Sequence, residues 1–200
     1  EENWARYFQI SAESAPVQPK QVAALKRYGI ASQPLNKSMK KAFSQGWHAV
    51  SDTDHRFARW NIALLSPEAE GDFRQEANTF GFNVEIDPLE PTSMPVKRIS
   101  MGRFAHEAAV CSAPIAGEPI AFYMGCDSRN EYIYKFVSEA RWDPQDVGGG
   151  TRAGDKYLNE GRLYAAKFNA DGSGEWPALD FQDPRIRGFE GYRFSNQADV

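Results

Sequence analysis

Hydrophobic and polar positions alternate over short runs in the second half of the chain. The runs within residues 80–137 are rich in aromatic and β-branched side chains, and they end at Pro, Gly, Asp or Ser. This pattern is typical of successive short strands in a meander. A further hairpin is predicted over residues 160–179, because Asp171-Gly172 separates two apolar runs and is a strong hairpin signal. The sequence therefore predicts an antiparallel all-β fold from Phe80 onward.

The first part of the chain lacks this alternation. Residues 19–30 predict a short helix, because they begin with Pro, carry apolar residues at helical spacing and reach a Gly after a basic last turn. A second helix or turn is predicted over residues 36–46, and residues 47–77 are predicted to be irregular. Residues 11–77 are therefore interpreted as a helical and irregular insertion. Residues 143–155, which contain three consecutive glycines, are predicted to form a polar loop.

Composition narrows the class of protein. The 200 residues are enough for one domain with a real core. A net charge of −4 and a pI near 5.5 argue against a nucleic-acid partner or an anionic membrane surface. No run approaches the roughly 20 apolar residues that span a bilayer. The acidic opening is no signal peptide, and without an initiator Met we expect the chain to be an internal segment.

Three carboxylates fall within or at the ends of the predicted strands: Glu107, Asp127 and Glu131. Strand-borne carboxylates are costly to bury unless a cation holds them. No matching set of His and Cys accompanies them, so a hard, oxygen-seeking cation is favoured over zinc. The sequence predicts that the three carboxylates converge on one metal site.

Strand alternation assigns the neighbours of these carboxylates to faces. It places Arg103 on the face of Glu107, and it places His106 on the other face, packed away from the metal. The alternative for Glu107 is an ion pair with Arg103. The alternative for Glu131 is an exposed pair with Lys135, which shares its predicted face.

The two cysteines lack the spacing of a zinc or redox motif. A predicted hairpin around residues 117–119 brings Cys111 and Cys126 near each other. They are then either two buried free thiols or a cross-strand disulfide, and the disulfide requires an oxidising compartment. No nucleophile elbow, phosphate loop or dinucleotide fingerprint is present, so no catalytic nucleophile is assigned.

Longer segments carry a resemblance to one family. They are Glu1-Glu2-Asn3 with Tyr7-Phe8, residues 26–30 (KRYGI), 80–88 (FGFNVEIDP), 102–107 (GRFAHE), 124–138 (MGCDSRNEYIYKFVS) and 161–176 (GRLYAAKFNADGSGEW). With these segments the chain resembles the PhoX-type bacterial alkaline phosphatases along nearly its whole length. The resemblance implies a six-bladed β-propeller, of which residues 1–200 form part as a single domain. It also implies export by the twin-arginine route to the periplasm or the medium.

The resemblance implies a metal-dependent phosphomonoesterase that releases inorganic phosphate from small phosphate esters, with Fe³⁺ and Ca²⁺ as cofactors. By motif match, Glu107 is an iron or bridging carboxylate, and Asp127 and Glu131 lie at the calcium ions. Glu1 and Glu2 lie at the edge of the cluster. Supporting roles fall to Arg103, His106 and Lys135. The intact protein is expected to be a monomer.

The chain departs from the family pattern at Cys126, where the family usually has an acidic residue. Two further family features, a cysteine iron ligand and an Arg-Pro-Glu segment, are expected directly before Glu1 and shortly after Val200. We therefore expect residues 1–200 alone to be inactive. The rival hypothesis, favoured by Cys126, is a non-catalytic, calcium-stabilised propeller that serves as a binding or structural module. A propeller hydrolase that uses calcium alone is a third.

Overall fold

A computed structural model describes residues 1–10, 25, 28, 30, 45–128, 130–191 and 194–197. Most of the residues of the two predicted N-terminal helices, 19–30 and 36–46, lie outside these ranges. No helix in the described ranges is both long and apolar enough to span a membrane. The chain forms two compact units, one of Glu1 with Asn3–Gly81 and one of Glu2 with Phe82–Val200.

The described part of the N-terminal unit is built around aromatic side chains rather than around a sheet. Phe8 is buried, and its ring lies 5.1 Å from that of Trp60 and 5.4 Å from that of Phe80. Its described helices are short: 3₁₀ helices at Trp4–Tyr7, Trp47–Ala49, Ala69–Gly71 and Glu76–Thr79, and α1 at His55–Ala58. Residues 47–77 are therefore mostly irregular, as predicted.

The C-terminal unit contains the strands, all paired antiparallel. β1 (Asn83–Glu85) pairs with β2 (Val96–Arg98), and β7 (Lys167–Phe168) pairs with β8 (Gly174–Glu175). Between them lies a four-stranded sheet in chain order: β3 (His106–Cys111), β4 (Pro119–Cys126), β5 (Ile133–Arg141) and β6 (Gly161–Ala165). Short 3₁₀ helices occupy Ile99–Met101 and Pro144–Asp146, and α3 spans Pro184–Arg187. The predicted antiparallel β structure is confirmed, including both hairpins. These sheets do not close into a ring, so the propeller stays a prediction.

One face of the four-stranded sheet carries the core of this unit. Cross-strand partners share a face, and the row Phe122, Phe136 and Leu163 therefore points to one side. Phe136 is completely buried there and packs with Met101 and Met124. Full burial of such a side chain contributes about 1.5–3 kcal/mol. This apolar face fixes the register, because a slip of one residue would turn it towards water.

A buried arginine joins the β1–β2 pair to a helix, α2 (Thr151–Leu158). The side chain of Arg98 is 1% exposed. Its guanidinium donates to Glu85 on β1, to Asp155 and Asn159 at 2.7 and 2.8 Å, and to the Thr151 carbonyl at 3.1 Å. Two carboxylates and two further oxygens thus satisfy the charge, as a buried cation requires.

Helix α2 begins within the segment predicted to be a loop, residues 143–155, and the loop prediction is wrong over residues 151–155. Glycines lower helix propensity, and this low propensity motivated the prediction. Tertiary contacts decide otherwise: Tyr157 is buried, its hydroxyl donates to Asp146, and Leu158 packs against the sheet core. Gly154 allows the ion-pair network to approach the helix closely, because a Cβ there would overlap the Glu85 carboxylate and the Arg98 guanidinium and displace them.

Replacing Gly154 by Ala should therefore destabilise the protein, although Ala is the better helix former. We expect the free energy of unfolding to fall by about 2–3 kcal/mol, the range for a disrupted buried polar network. Urea unfolding of Gly154→Ala measures this loss. The matched control is Gly174→Ala, where the nearest neighbour of the added Cβ is a backbone oxygen at 3.4 Å. Equal stability of the two variants would contradict the assigned role of Gly154.

The same network predicts that the free energy of unfolding decreases at acidic pH. A hydrogen bond from Arg98 holds the pKa of Asp155 below its usual value. Such a carboxylate stabilises the fold above its unfolded pKa, about 3.9, and this contribution is lost as the pH falls further through the folded pKa. Between pH 6 and pH 3 the wild type should lose more stability than Asp155→Asn, as measured by urea unfolding. If the wild type and Asp155→Asn lost equal stability, the ion pair between Arg98 and Asp155 would contribute nothing to the pH dependence.

Candidate functional site

The three predicted carboxylates lie at the same end of the four-stranded sheet. The register pairs His106 at the start of β3 with Cys126 at the end of β4, and Gly125 with Ile133 at the start of β5. Glu107 is therefore next to the first residue of β3, Asp127 follows the last residue of β4, and Glu131 precedes β5. Neighbouring strands are about 4.8 Å apart, so this topology gathers three exposed carboxylates at one sheet end.

A β-bulge sets the position of Glu107. The register shifts between His106, which pairs with Cys126, and Ala108, which pairs with Gly125, and Glu107 is the extra residue. Strict alternation would put His106 and Ala108 on one face. The bulge instead lets His106 enter the core while Glu107 and Ala108 stay exposed. His106 is thus packed, as predicted, but it does not share a face with Ala108 as strict alternation predicted.

Asp127 and Glu131 flank the turn between β4 and β5. The backbone amide of Asp127 donates to the Ala105 carbonyl at 3.0 Å, which continues the pairing of β3 and β4 past the last strand residue. The backbone amide of Glu131 donates to the Ser128 carbonyl at 3.3 Å. Asn130 has a φ of 62°, a left-handed conformation that Asn adopts more readily than most residues. The turn thus holds both carboxylates by backbone contacts and leaves their side chains exposed.

The Tyr134 hydroxyl contacts this end of the sheet. It donates to the Glu131 carboxylate at 3.3 Å, although alternation along the predicted strand put these two side chains on opposite faces. The prediction fails because Glu131 precedes the paired part of β5 and is not bound by its alternation. Burial, and then the nearby Glu131 carboxylate, raise the pKa of Tyr134. No sequence signal marked this tyrosine, because it resembles the other aromatic residues of the strand.

No described Lys or Arg forms an ion pair with Glu107, Asp127 or Glu131. The two alternatives of an Arg103–Glu107 pair and a Lys135–Glu131 pair are therefore not found. The guanidinium of Arg103 lies 5.8 Å from the Phe82 ring centre. These carboxylates therefore present hard oxygen donors, and no described Lys or Arg neutralises them.

Lys135 lies on the opposite face from the core, between two aromatic rings. Its ammonium is 5.0 Å from the Tyr164 ring centre and 4.7 Å from that of Trp176. Tyr164 is its cross-strand partner on β6, so the register itself creates this contact. Burial lowers the pKa of Lys135. Cation–π contacts of this kind contribute about 0.5–2 kcal/mol.

His106 is buried in the core beside the bulge. Its Nε2 lies 3.2 Å from the Gly102 carbonyl oxygen, and its ring stacks 3.6 Å from that of Phe104. Phe104 in turn stacks on Tyr134 at 4.2 Å. The three rings therefore form a continuous stack under the sheet end that carries the carboxylates.

The remaining predicted ligands lie in different units. Glu1 belongs to the N-terminal unit, where its carboxylate accepts a hydrogen bond of 2.8 Å from the Gly81 amide, and Glu2 belongs to the C-terminal unit. Within the described part of the chain, no three His, Cys, Asp or Glu side chains come together as a metal-binding group. The convergence of Glu107, Asp127 and Glu131 on one cation stays a prediction.

The two cysteines are free thiols, and the predicted proximity of their sulfurs is wrong. Cys111 pairs with Phe122 near the hairpin turn, whereas Cys126 pairs with His106 at the other end of the strands. Phe122 and Cys126 are four positions apart, which corresponds to about 13 Å along the strand. Sequence spacing gave the hairpin but not this register, which the bulge and the apolar face determine. Cys111 is exposed and Cys126 is half-buried, so neither is the buried thiol expected.

Comparisons with known proteins point to one family. The family model described as alkaline phosphatase PhoX matches residues 1–200. The solved structure of Pseudomonas fluorescens PhoX in complex with vanadate, a transition state analogue, is 31% identical with a TM-score of 0.71. The alignment covers 100% of this chain and 30% of that one, so this chain spans about a third of its length. No curated protein sequence matches.

The cysteine geometry gives a test of the register. Peptides that contain Cys111 and Cys126 should be recovered separately from a non-reducing digest, each alkylated by iodoacetamide after unfolding. Alkylation of Cys111 in the folded protein should speed up at a higher pH than in the unfolded protein, because partial burial of its thiol raises its pKa. A disulfide-linked pair of these peptides in freshly purified protein would show that the register is wrong.

Proposed function

This chain belongs to the PhoX alkaline phosphatase family, and from that premise we propose that the protein hydrolyses phosphate monoesters and releases inorganic phosphate. The observation that carries the proposal is the family match over residues 1–200. It is supported by the three exposed carboxylates at one end of the sheet. The substrates would be small organic phosphate esters.

We propose that Glu107, Asp127 and Glu131 hold the cations, with Glu2 at the edge of the same centre. Oxygen-only donors fit Ca²⁺, which takes six to eight oxygens, and they fit Fe³⁺ as a hard cation. Three carboxylates supply only part of such a shell. When bound, these cations supply Lewis acidity that polarises a phosphoryl oxygen and offsets developing negative charge.

The protein's own residues prepare this site. The bulge leaves Glu107 exposed, and the turn between β4 and β5 leaves Asp127 and Glu131 exposed at the same end of the sheet. His106 would support the centre from the core through the ring stack with Phe104. Arg103 and Lys135 are proposed to act as supporting cations rather than as metal ligands.

The remaining features of the proposal follow the family. The chain would form part of a single six-bladed propeller domain, exported by the twin-arginine route to the periplasm or the medium and monomeric when intact. Residues 1–200 alone would be inactive, because they correspond to only 30% of the PhoX chain that they match. Loss of residues that support a metal site typically costs orders of magnitude in metal affinity or rate.

A second candidate function is a non-catalytic module stabilised by calcium. Cys126 favours it, because a thiol stands where the family usually has an acidic residue, directly before Asp127. The thiol removes one hard donor from the set expected for catalysis, while Glu107, Asp127 and Glu131 remain as oxygen donors for Ca²⁺. In this case cation binding would raise thermal stability without any release of phosphate.

The two functions are separated by assaying the purified intact protein with p-nitrophenyl phosphate at alkaline pH. Phosphatase activity should appear, disappear with a strong chelator and return with calcium and iron. Glu107→Gln, Asp127→Asn and Glu131→Gln should each reduce kcat/KM by at least tenfold to a hundredfold, the cost of disturbing a metal shell.

The matched control is Glu139→Gln, an exposed carboxylate on β5 of the same sheet, which should leave the rate unchanged. Full turnover in a metal-stripped sample would refute the metal mechanism. A rise in Tm with Ca²⁺ but no phosphate release would support the binding module instead.

A further inference from the structure

The sheet of β3, β4, β5 and β6 has a second face, opposite its core, and we propose that this face packs against another β-sheet of the same polypeptide, outside residues 1–200. Cross-strand partners lie on the same side of a sheet, and so do alternate residues of one strand. The register therefore defines this outer face by residues from all four strands: Val110, Tyr123, Ile133, Lys135 and Tyr164.

The outer face is largely apolar and open to solvent. Val110 is 63% exposed, Ile133 is 47% exposed and Tyr123 is 43% exposed. Neighbouring strands are about 4.8 Å apart, so these side chains form one continuous surface. An antiparallel sheet that faces water normally carries polar residues on its outer side, and contiguous exposed apolar surface marks an interaction site. The outer face thus has the composition of a surface that a partner covers.

The charge of Lys135 does not interrupt this surface. Its ammonium lies 5.0 Å from the ring centre of Tyr164 and 4.7 Å from that of Trp176. The Trp176 ring in turn lies 5.8 Å from the Tyr123 ring. The backbone holds Trp176 in place, because the Ala165 amide donates to the carbonyl of the next residue, Pro177, at 3.2 Å. The aromatic rings are therefore already ordered, and a partner that packs on them does not have to immobilise them.

A second sheet is the partner that fits this surface. Two twisted sheets align face to face about 10 Å apart and interdigitate their inner side chains, and the outer face runs across all four strands. Residues 1–200 correspond to 30% of the PhoX chain that they match, so a protein of that length contains further chain that can form such a sheet. This inference rests on the single domain proposed above for the intact protein, and not on its activity.

The test measures the rate of cysteine alkylation in the intact protein, in a Cys111→Ser and Cys126→Ser background so that only introduced thiols react. Val110→Cys and Ile133→Cys each place a thiol on the outer face, and each folded variant is compared with itself after unfolding in urea. Both should react at least a hundredfold more slowly when folded, because the second sheet covers them. The control is Leu89→Cys, which is 88% exposed on the connection between β1 and β2 and should react at nearly its unfolded rate.

The outcomes distinguish the possible partners of the outer face. Protection of both thiols in a monomeric protein, independent of protein concentration, supports the inference. Alkylation of both thiols at nearly their unfolded rates would overturn it and leave the proposed phosphatase activity standing, because alkylation does not measure turnover. Protection that disappears on dilution, together with the mass of a dimer in light scattering, would assign the face to a second copy of the chain and would also overturn the inference.

Discussion

The register of the sheet formed by β3, β4, β5 and β6 determines where the other features of the C-terminal unit lie. It is fixed by one apolar face centred on the fully buried Phe136, because any slip of one residue would expose that side chain. The same register brings the start of β3, the end of β4 and the start of β5 to one end of the sheet. One strand register thus determines both the packing of the core and the position of the carboxylates. A substitution that shifted this register would also move the carboxylates.

The sheet also places a buried side chain directly beside an exposed carboxylate. At Glu107 a single extra residue breaks the alternation, so that His106 is buried while the neighbouring carboxylate stays in water. A carboxylate buried in its place would cost several kcal/mol without a cation. Elsewhere in the unit, Arg98 is a charged side chain that is buried. Its charge is compensated by Glu85, Asp155 and further oxygens. The exposed carboxylates and the buried Arg98 therefore have different roles. The carboxylates are accessible from solvent, whereas Arg98 and its hydrogen-bond partners stabilise the fold.

Membership of the PhoX family gives these exposed acids a chemical context that the geometry alone does not. A fold hosts many functions, so function has to be argued from a site. Here the chain supplies hard oxygen donors, a tyrosine that contacts one of them, and a thiol beside another. Cys126 is the residue that most separates the two proposed functions, because it changes the donor set at the position next to Asp127.

The sequence by itself determined the strands, both hairpins, the three acids at strand ends and the family, because alternation, turn residues and motifs are local properties of the chain. It did not determine the helix at Thr151–Leu158, which depends on Arg98 and on the sheet core. It also missed the bulge at Glu107, the separation of the cysteines and the contact between Tyr134 and Glu131. These features depend on which strand positions face each other. Register is a property of packed pairs, and only the burial of a shared apolar face selects it.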